Sequence, residues 1–462
     1  MVQGIKVRLV GAAAIAITIG APAVARPPAD LLSAAAPTPT PSPAPVATPT
    51  PPAPPIAQVP GAPSIVNAAP APVALPSWKL ADAQALLAVI ERIDAEGLIP
   101  ADYQPQELRA AIAAGEGTAL DEQAARSFSW LAEDLRDGRT PVPARVQWFV
   151  VDPDQDLKPT MTLMQTALDT RDVAGVLAGL APVHPDYAAL KAQLAATPKA
   201  DSRTRNLIRV NMDRWRWLAQ ELGTIYLMTN VPEFQLRLSV NHRNIRTYRT
   251  IVGKPGRTAT PQLAEQVTGV VFNPTWTVPQ SIVVGEGLGA RLLANPRSAA
   301  RQGYKVTKTA DGTVIVVQQP GDNNSLGRMK IDMPNPHAIY LHDTPGKHLF
   351  NAEVRAFSHG CIRTERAVEL GMTMAILGAD LTPQQGIDYA NSGKYTRVAM
   401  TKTFPVYLTY FTMGQDITGK LRAFNDIYGR DAPVLASFQA ARQLKTAQRT
   451  SNEEIIKLDN PL

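Results

Sequence analysis

Six consecutive residues, Ser358-His359-Gly360-Cys361-Ile362-Arg363, hold the only cysteine of a 462-residue chain directly after a glycine and two positions after a histidine. A thiol close to His or Arg, or at the first turn of a helix, titrates at lower pH, so more of it is nucleophilic thiolate. A helix is expected over 365–377, which sets Cys361 near its start. By residue type alone a single cysteine is more often a small buried hydrophobe. The polar Ser358 and His359 and the charged Arg363 do not read as a core segment and favour the chemical reading. The backbone N–H groups of Gly360 and Cys361 would be well placed to receive the oxyanion of a tetrahedral acyl intermediate.

A nucleophilic thiol needs a base. His342, in Tyr340-Leu341-His342-Asp343-Thr344-Pro345, ends a β-type run before a turn, where a side chain can face a cleft. His337, between Pro336 and Ala338, and His348, in a polar loop, have the surroundings of surface histidines. Four histidines between 337 and 359 also raise the question of a metal. No pair of them stands at i, i+4 on a helix, and no Cys or Glu completes a ligand set, so neither metal nor cofactor is expected. The lone cysteine excludes an internal disulfide and any CxxC element.

The elements that must position these groups follow from the patterning. From Trp78 to about Asp201 apolar residues recur at helical spacing, as in Leu80, Leu86, Leu87, Ile90 and Ile93, then Phe128, Leu131 and Leu135. This predicts an all-helical domain over 77–204, with helices at 161–168 and 187–194 as its second layer and a scaffold or docking role. After 205 the pattern changes to short β-type runs at 224–230, 234–240, 247–252, 267–272, 313–318, 339–342 and 401–412. A β-rich domain is expected over 205–435, a sandwich or barrel-like sheet with flanking helices, followed by a polar tail over 436–462. Residues 279–332 read as an insertion, and Pro320-Gly321-Asp322-Asn323-Asn324 within it is turn-rich enough for a mobile flap.

Composition bounds the rest. Seventeen of 41 prolines fall within 26–76, where Arg26 and Asp30 are the only charges, so this stretch has little to bury and reads as an extended, disordered linker. Lys6 and Arg8 precede an apolar run from Leu9 to Gly20, followed by Ala23-Val24-Ala25. That is the pattern of a signal peptide over 1–25, cleaved on export to the periplasm; about 12 apolar residues fall short of the ~20 needed to span a bilayer. An uncleaved inner-membrane anchor is the alternative. Lys plus Arg exceed Asp plus Glu by 46 to 40. So small a bias, with no run of five basic residues, gives no case for a nucleic-acid partner.

His342, a gap of fifteen residues and Ser358-His359-Gly360-Cys361-Ile362-Arg363 together resemble the signature of L,D-transpeptidases of the YkuD-domain family. Asn211 to Leu218, Asn273-Pro274-Thr275-Trp276, Asn324-Ser325-Leu326-Gly327 and Asp426-Ile427-Tyr428-Gly429-Arg430-Asp431 are similar to blocks of its large, YcbB-like Gram-negative branch. The likeness covers roughly 78–435. It departs where members often carry a peptidoglycan-binding module, for which 187–209 leaves no room.

The resemblance implies an α+β protein in which a helical scaffold domain precedes a β-rich catalytic domain with an inserted lid. It implies Cys361 as nucleophile, His342 as base and Asp343, by carbonyl or side chain, as the group orienting the imidazole. His359 and Gly360 would shape the oxyanion hole and donor pocket. Tyr340, Ser358, Arg355 and Arg363 would position substrate carboxylates or the active-site loop, and Trp276 would pack at the lid root or touch ligand. The implied substrates are peptidoglycan stem peptides: a thioester at Cys361, loss of D-alanine, and transfer to an amine of a second stem as a 3-3 cross-link. Inactivation by carbapenems through Cys361 is implied as well. Release to water (a carboxypeptidase), attachment of a lipoprotein to the wall, and a non-catalytic wall-binding protein are the other readings. Wall-synthesis proteins could dock on the helical domain.

Overall fold

The computed structural model describes residues 75–442 and Leu458. The leader, all of the linker but its last two residues and most of the tail lie outside the described residues.

Helices Leu80–Glu91, Pro105–Ala114, Thr118–Asp137, Thr160–Thr170 and Val173–Ala178 enclose a core of Leu86, Ile90, Phe128, Leu131 and Leu135. In Thr118–Asp137 the buried Leu120, Ala124, Phe128, Leu131 and Leu135 stand three or four residues apart, which gives one apolar stripe. Burying a side chain the size of Phe128 is worth ~1.5–3 kcal/mol. The expected second layer holds for Thr160–Thr170. Pro185–Ala196, in contrast, turns Tyr187, Leu190 and Leu194 toward Ile208, Met212 and Trp215 and the strand residues Tyr226, Met228 and Tyr407.

The expected boundary at 204/205 cuts through helix Ser202–Trp215, which buries polar as well as apolar side chains. Asp213 accepts the N–H groups of Arg139 and Thr140 at 2.7 and 3.0 Å on the helical side. Arg214 pairs with Asp431 at 2.6 Å and Asn211 accepts from Thr412 N at 2.8 Å on the other. These buried polar residues interrupt an apolar stripe, which is why periodicity alone ended the helical region too early.

Fourteen strands follow: β1 Ile225–Asn230, β2 Gln235–Val240, β3 Arg243–Gly253, β4 Leu263–Phe272, β5 Trp276–Thr277, β6 Tyr304–Lys308, β7 Val314–Gln318, β8 Met329–Asp332, β9 Leu341–His342, β10 Ala356–Ser358, β11 Ile362–Thr364, β12 Thr396–Thr409, β13 Met413–Gln415 and β14 Leu421–Ala423. Nine form one sheet in the order β10-β3-β11-β9-β8-β4-β12-β1-β2, and β2 also pairs with β3. That second pairing closes a ring of eight strands, with β10 appended to β3 outside it. Its core includes Leu227, Leu238, Val270, Phe272, Ile331, Leu341 and Ile362, covered by helix Ala367–Ala379 through Leu370 and Met374.

The insertion is a small body with its own core of Val278, Val283, Leu288, Leu292 and Val316 beneath the sheet β5-β7-β6. It spans β5 to β7. β8, expected inside it, belongs to the main sheet between β4 and β9. At its two roots Asn273 donates to Tyr389 O at 2.8 Å and Asn324 donates to Pro274 O at 3.0 Å. The expected tail start at 436 falls inside helix Asp431–Gln439, whose Val434 and Phe438 pack with Val210 and Trp217.

Candidate active site

Strand register brings the chemistry together. Lys330 on β8 pairs with His342 on β9, and His342 pairs with Arg363 on β11. Residues paired across strands share a face, so these three form one row. Two residues along each strand, Asp332, Tyr340 and Cys361 form the next row on that face. Tyr340 therefore stands beside the thiol, where burial and the neighbouring Cys361 push its hydroxyl well above its usual range.

His342 is 4 % exposed, and its Nδ1 lies 2.5 Å from the carbonyl oxygen of Asp343. Only Nδ1–H can donate to a carbonyl, so this contact selects the tautomer that leaves Nε2 with a free lone pair. The Asp343 carboxylate is held by Arg328 N at 2.9 Å and by Lys347. Gly327, at φ +60°, makes room for it, because a Cβ there would lie 2.4 Å from Asp343 Oδ2. Orientation thus comes from the Asp343 carbonyl, while its carboxylate secures the turn.

Cys361 is half-buried, and Sγ–H donates to Ala338 O at 3.5 Å. Burial pushes the thiol above its usual range, opposed by the Tyr340 N–H and O–H and by the charges of Lys330 and Arg363. Burial, with the Arg363 charge, holds His342 down at about 3. Both groups are therefore neutral at pH 7, as thiol and imidazole. A helix-lowered thiol was the expectation; instead three residues of β11 follow Cys361 and the helix begins only at Ala367.

The 358–361 turn is locked from inside. Ser358 Oγ donates to Cys361 O at 2.5 Å and accepts Gly360 N–H at 3.2 Å. Gly360 takes φ +116°, and an added Cβ would lie 3.0 Å from Ile339 Cδ1. Gly360 N–H is thus taken up by Ser358, whereas Cys361 N–H has no acceptor among the described residues.

Thr260 secures the same turn from outside, donating to Gly360 O at 2.7 Å and accepting Gly253 N–H at 2.9 Å. Tyr428 backs it, donating to Gly253 O at 2.6 Å and accepting Thr260 N–H at 3.2 Å. Thr260 and Lys330 carry no signal in the sequence pattern; their parts depend on register and on partners 100 and 12 residues away.

The remaining candidates separate. The Arg363 side chain is half-buried and has neither hydrogen bond nor ion pair among the described residues. Arg355, by contrast, donates to Thr250 O, Ala352 O and Phe234 O at 3.0–3.1 Å and lies over the Phe234 ring. Those donors are spent on the backbone, so Arg355 holds β3 and the 350s loop rather than a substrate. His359 is exposed and its Nε2 meets Glu286 of the inserted body at 2.6 Å. That contact ties the inserted body to the 358–361 turn. His337 stacks on Phe149 at 4.2 Å, and His348 is exposed. A cavity of about 350 Å³ lined by Asp94, Thr197, Lys199 and Arg205 lies in the helical region and holds none of these groups.

With the geometry in place, comparison with known proteins is direct. Residues 224–371 match the family model of the L,D-transpeptidase catalytic domain, YkuD, and residues 76–194 match that of a scaffold domain. A curated Haemophilus influenzae protein named "Putative L,D-transpeptidase" is 29% identical over 253 residues, 52% of this chain and 50% of that protein. The chain thus spans about half the length of that relative. Solved structures that resemble it include an L,D-transpeptidase from Mycobacterium smegmatis, at 14% identity and TM-score 0.20 over 40% of this chain and 59% of that one. Another is L,D-transpeptidase 3 from Mycobacterium tuberculosis with a faropenem-derived adduct, at 13% identity and TM-score 0.20 over 40% and 60%.

Proposed function

We propose that the chain, whose residues 224–371 match the L,D-transpeptidase catalytic-domain model and whose residues 76–194 match the scaffold-domain model, is a peptidoglycan L,D-transpeptidase acting through Cys361. The observation that carries this reading is the register that sets His342 opposite Arg363, two residues along the same strand from Cys361, with Nδ1 of His342 committed to the Asp343 carbonyl. His342 Nε2 takes the thiol proton as sulfur attacks the carbonyl carbon joining the third residue of a tetrapeptide stem to its terminal D-alanine. The oxygen of the tetrahedral adduct takes a hydrogen bond from Cys361 N–H. His342 returns the proton to the departing nitrogen, the C–N bond breaks, and D-alanine leaves a thioester on Cys361. An amine of a second stem then attacks, gives its proton to His342 and forms the new amide as the thiol is regenerated.

The two neutral groups suit this sequence, because the proton moves only when a substrate carbonyl is present. The reading includes periplasmic action and 3-3 linkage between stems. Purified residues 77–462, wild type and Cys361→Ala, would be incubated with disaccharide-tetrapeptides and followed by mass spectrometry. Dimer plus free D-alanine in the wild type alone is the expected result, with fragmentation reporting the linkage. Trimmed tripeptide without dimer would replace the proposal with a carboxypeptidase, and identical products from Cys361→Ala would end it.

A further inference from the structure

We propose that Lys330 and Arg363, one on either side of His342, form a two-cation seat for the free terminal carboxylate of the donor peptide. The choice of ligand rests on the transpeptidase reading; the seat itself rests on geometry. Register fixes the row Lys330–His342–Arg363 across β8, β9 and β11. Neighbouring strands are about 4.8 Å apart, so the two cationic residues stand about 10 Å apart at the backbone with the base between them. Long flexible side chains can converge over that gap on one anion.

Both cations are short of acidic partners. The Arg363 guanidinium has neither hydrogen bond nor ion pair among the described residues, although the residue is half-buried, and its charge favours the thiolate form of Cys361. Withdrawing a guanidinium from water without an acceptor is costly, and a bound carboxylate would supply two. Lys330 lies 3.9 Å from Asp332, but Asp332 is engaged at 2.7 Å by Arg397. The Lys330 ammonium instead sits 4.4 Å over the Tyr340 ring. Arg355, the other arginine suggested for carboxylates, has spent its donors on the backbone.

The chemistry of the donor selects which carboxylate fits. In a tetrapeptide the terminal carboxylate belongs to the leaving residue, separated from the scissile carbonyl carbon by one nitrogen and one carbon. A seat beside the thiol reads that group and rejects a donor whose fourth residue continues into a further peptide bond. Occupancy also bears on the base. Lys330 and Arg363 both disfavour protonated His342, so a carboxylate between them removes an obstacle to proton transfer when substrate is present.

The test uses two probes of Cys361 that differ by one charge, neutral iodoacetamide and anionic iodoacetate. In the wild type the ratio of iodoacetate to iodoacetamide rate should exceed that of free cysteine by about tenfold, falling as salt rises. Lys330→Met and Arg363→Gln should each lower the ratio toward the free-cysteine value, with Arg363→Lys retaining part of it. Comparing a ratio within each variant cancels changes in thiol ionisation, and Lys330, the more peripheral site, stands in if Arg363→Gln does not fold. A ratio equal to free cysteine in the wild type, or unchanged in both variants, would overturn the seat. With donor peptides, Arg363→Gln should raise KM for the free acid and not for the C-terminal carboxamide. If amidating the third residue's side chain is what removes the Arg363 dependence, the terminal assignment is wrong. A normal alkylation pattern without any donor turnover would preserve the seat and refute the transpeptidase reading.

Discussion

His342 takes its orientation from the main chain of its own neighbour, with Nδ1 2.5 Å from the carbonyl oxygen of Asp343. The carboxylate of Asp343 points elsewhere, to Arg328 N and Lys347. Asp343→Asn keeps an oxygen for Arg328 N and loses only the half-exposed lysine pair, worth ~0–1 kcal/mol. Its turnover should stay within about threefold of wild type, because tautomer choice survives. Steady-state kinetics with a tetrapeptide donor measures this; a loss of about 10³ or more would show that the carboxylate itself orients the ring.

In the free protein the thiol is raised by burial and the imidazole is held at about 3, so no thiolate–imidazolium pair exists at neutral pH. Alkylation of Cys361 by iodoacetamide should accordingly climb about tenfold per pH unit from 6 to 9 without a plateau. A plateau beginning near pH 6 would indicate a preformed ion pair and contradict the neutral ground state.

The same burial has a consequence for stability. The folded value of His342 lies below its ordinary 6.5, so the contribution of the neutral ring is full above pH 6.5 and is lost as pH falls toward 3. Relative to His342→Gln, the wild type should lose stability by up to ~1.4 kcal/mol per pH unit below 6.5, totalling on the order of 3 kcal/mol by pH 4. Paired denaturant melts at pH 7 and pH 4 give the difference directly, and parallel curves for the two proteins would refute it.

What the sequence made legible were local signals. Ser358 to Arg363 and Tyr340 to Pro345 can be read because glycine, cysteine and histidine in polar turns are uncommon company. Lys330 and Thr260 could not be read, since one acts through strand register and the other through a bond to Gly360 100 residues away. Arg355 and Arg363 look alike in a sequence, and only their neighbours separate a backbone clamp from an open cation. The helix expected over 365–377 is present as Ala367–Ala379, two residues further from the thiol. Ile362 and Arg363 pair with β9, and Arg363 and Thr364 with β3, so a strand separates Cys361 from that helix.

Arg355 gives that distinction an experimental form. Its guanidinium satisfies three carbonyl oxygens on β3, the β2 entry and the 350s loop. Hydrogen bonds to a charged group contribute ~1.5–3 kcal/mol each, and not additively, so Arg355→Met should lower stability by about 2–5 kcal/mol. At a temperature where the variant is folded, its KM for donor should match wild type. A large rise in KM with little change in thermal stability would instead make Arg355 a substrate residue.

Thr260 offers the sharpest test of how the oxyanion turn is held. Its hydroxyl donates to Gly360 O at 2.7 Å and accepts Gly253 N–H at 2.9 Å, so one atom ties β3 to the nucleophile turn. Thr260→Val keeps the shape and strands both backbone groups, costing ~1–3 kcal/mol for each left unsatisfied. The turn can relax only by moving Gly360, already at φ +116° and against Ile339, which would carry Cys361 N–H away from the developing oxyanion. Misplacing one such donor costs about 10²–10³ in turnover. Thr260→Val should therefore depress kcat far more than KM, while Thr260→Ser, which keeps the hydroxyl, should recover most of it. Equal kcat in the valine and serine variants would mean that the turn holds its position without Thr260 and that Ser358 alone suffices.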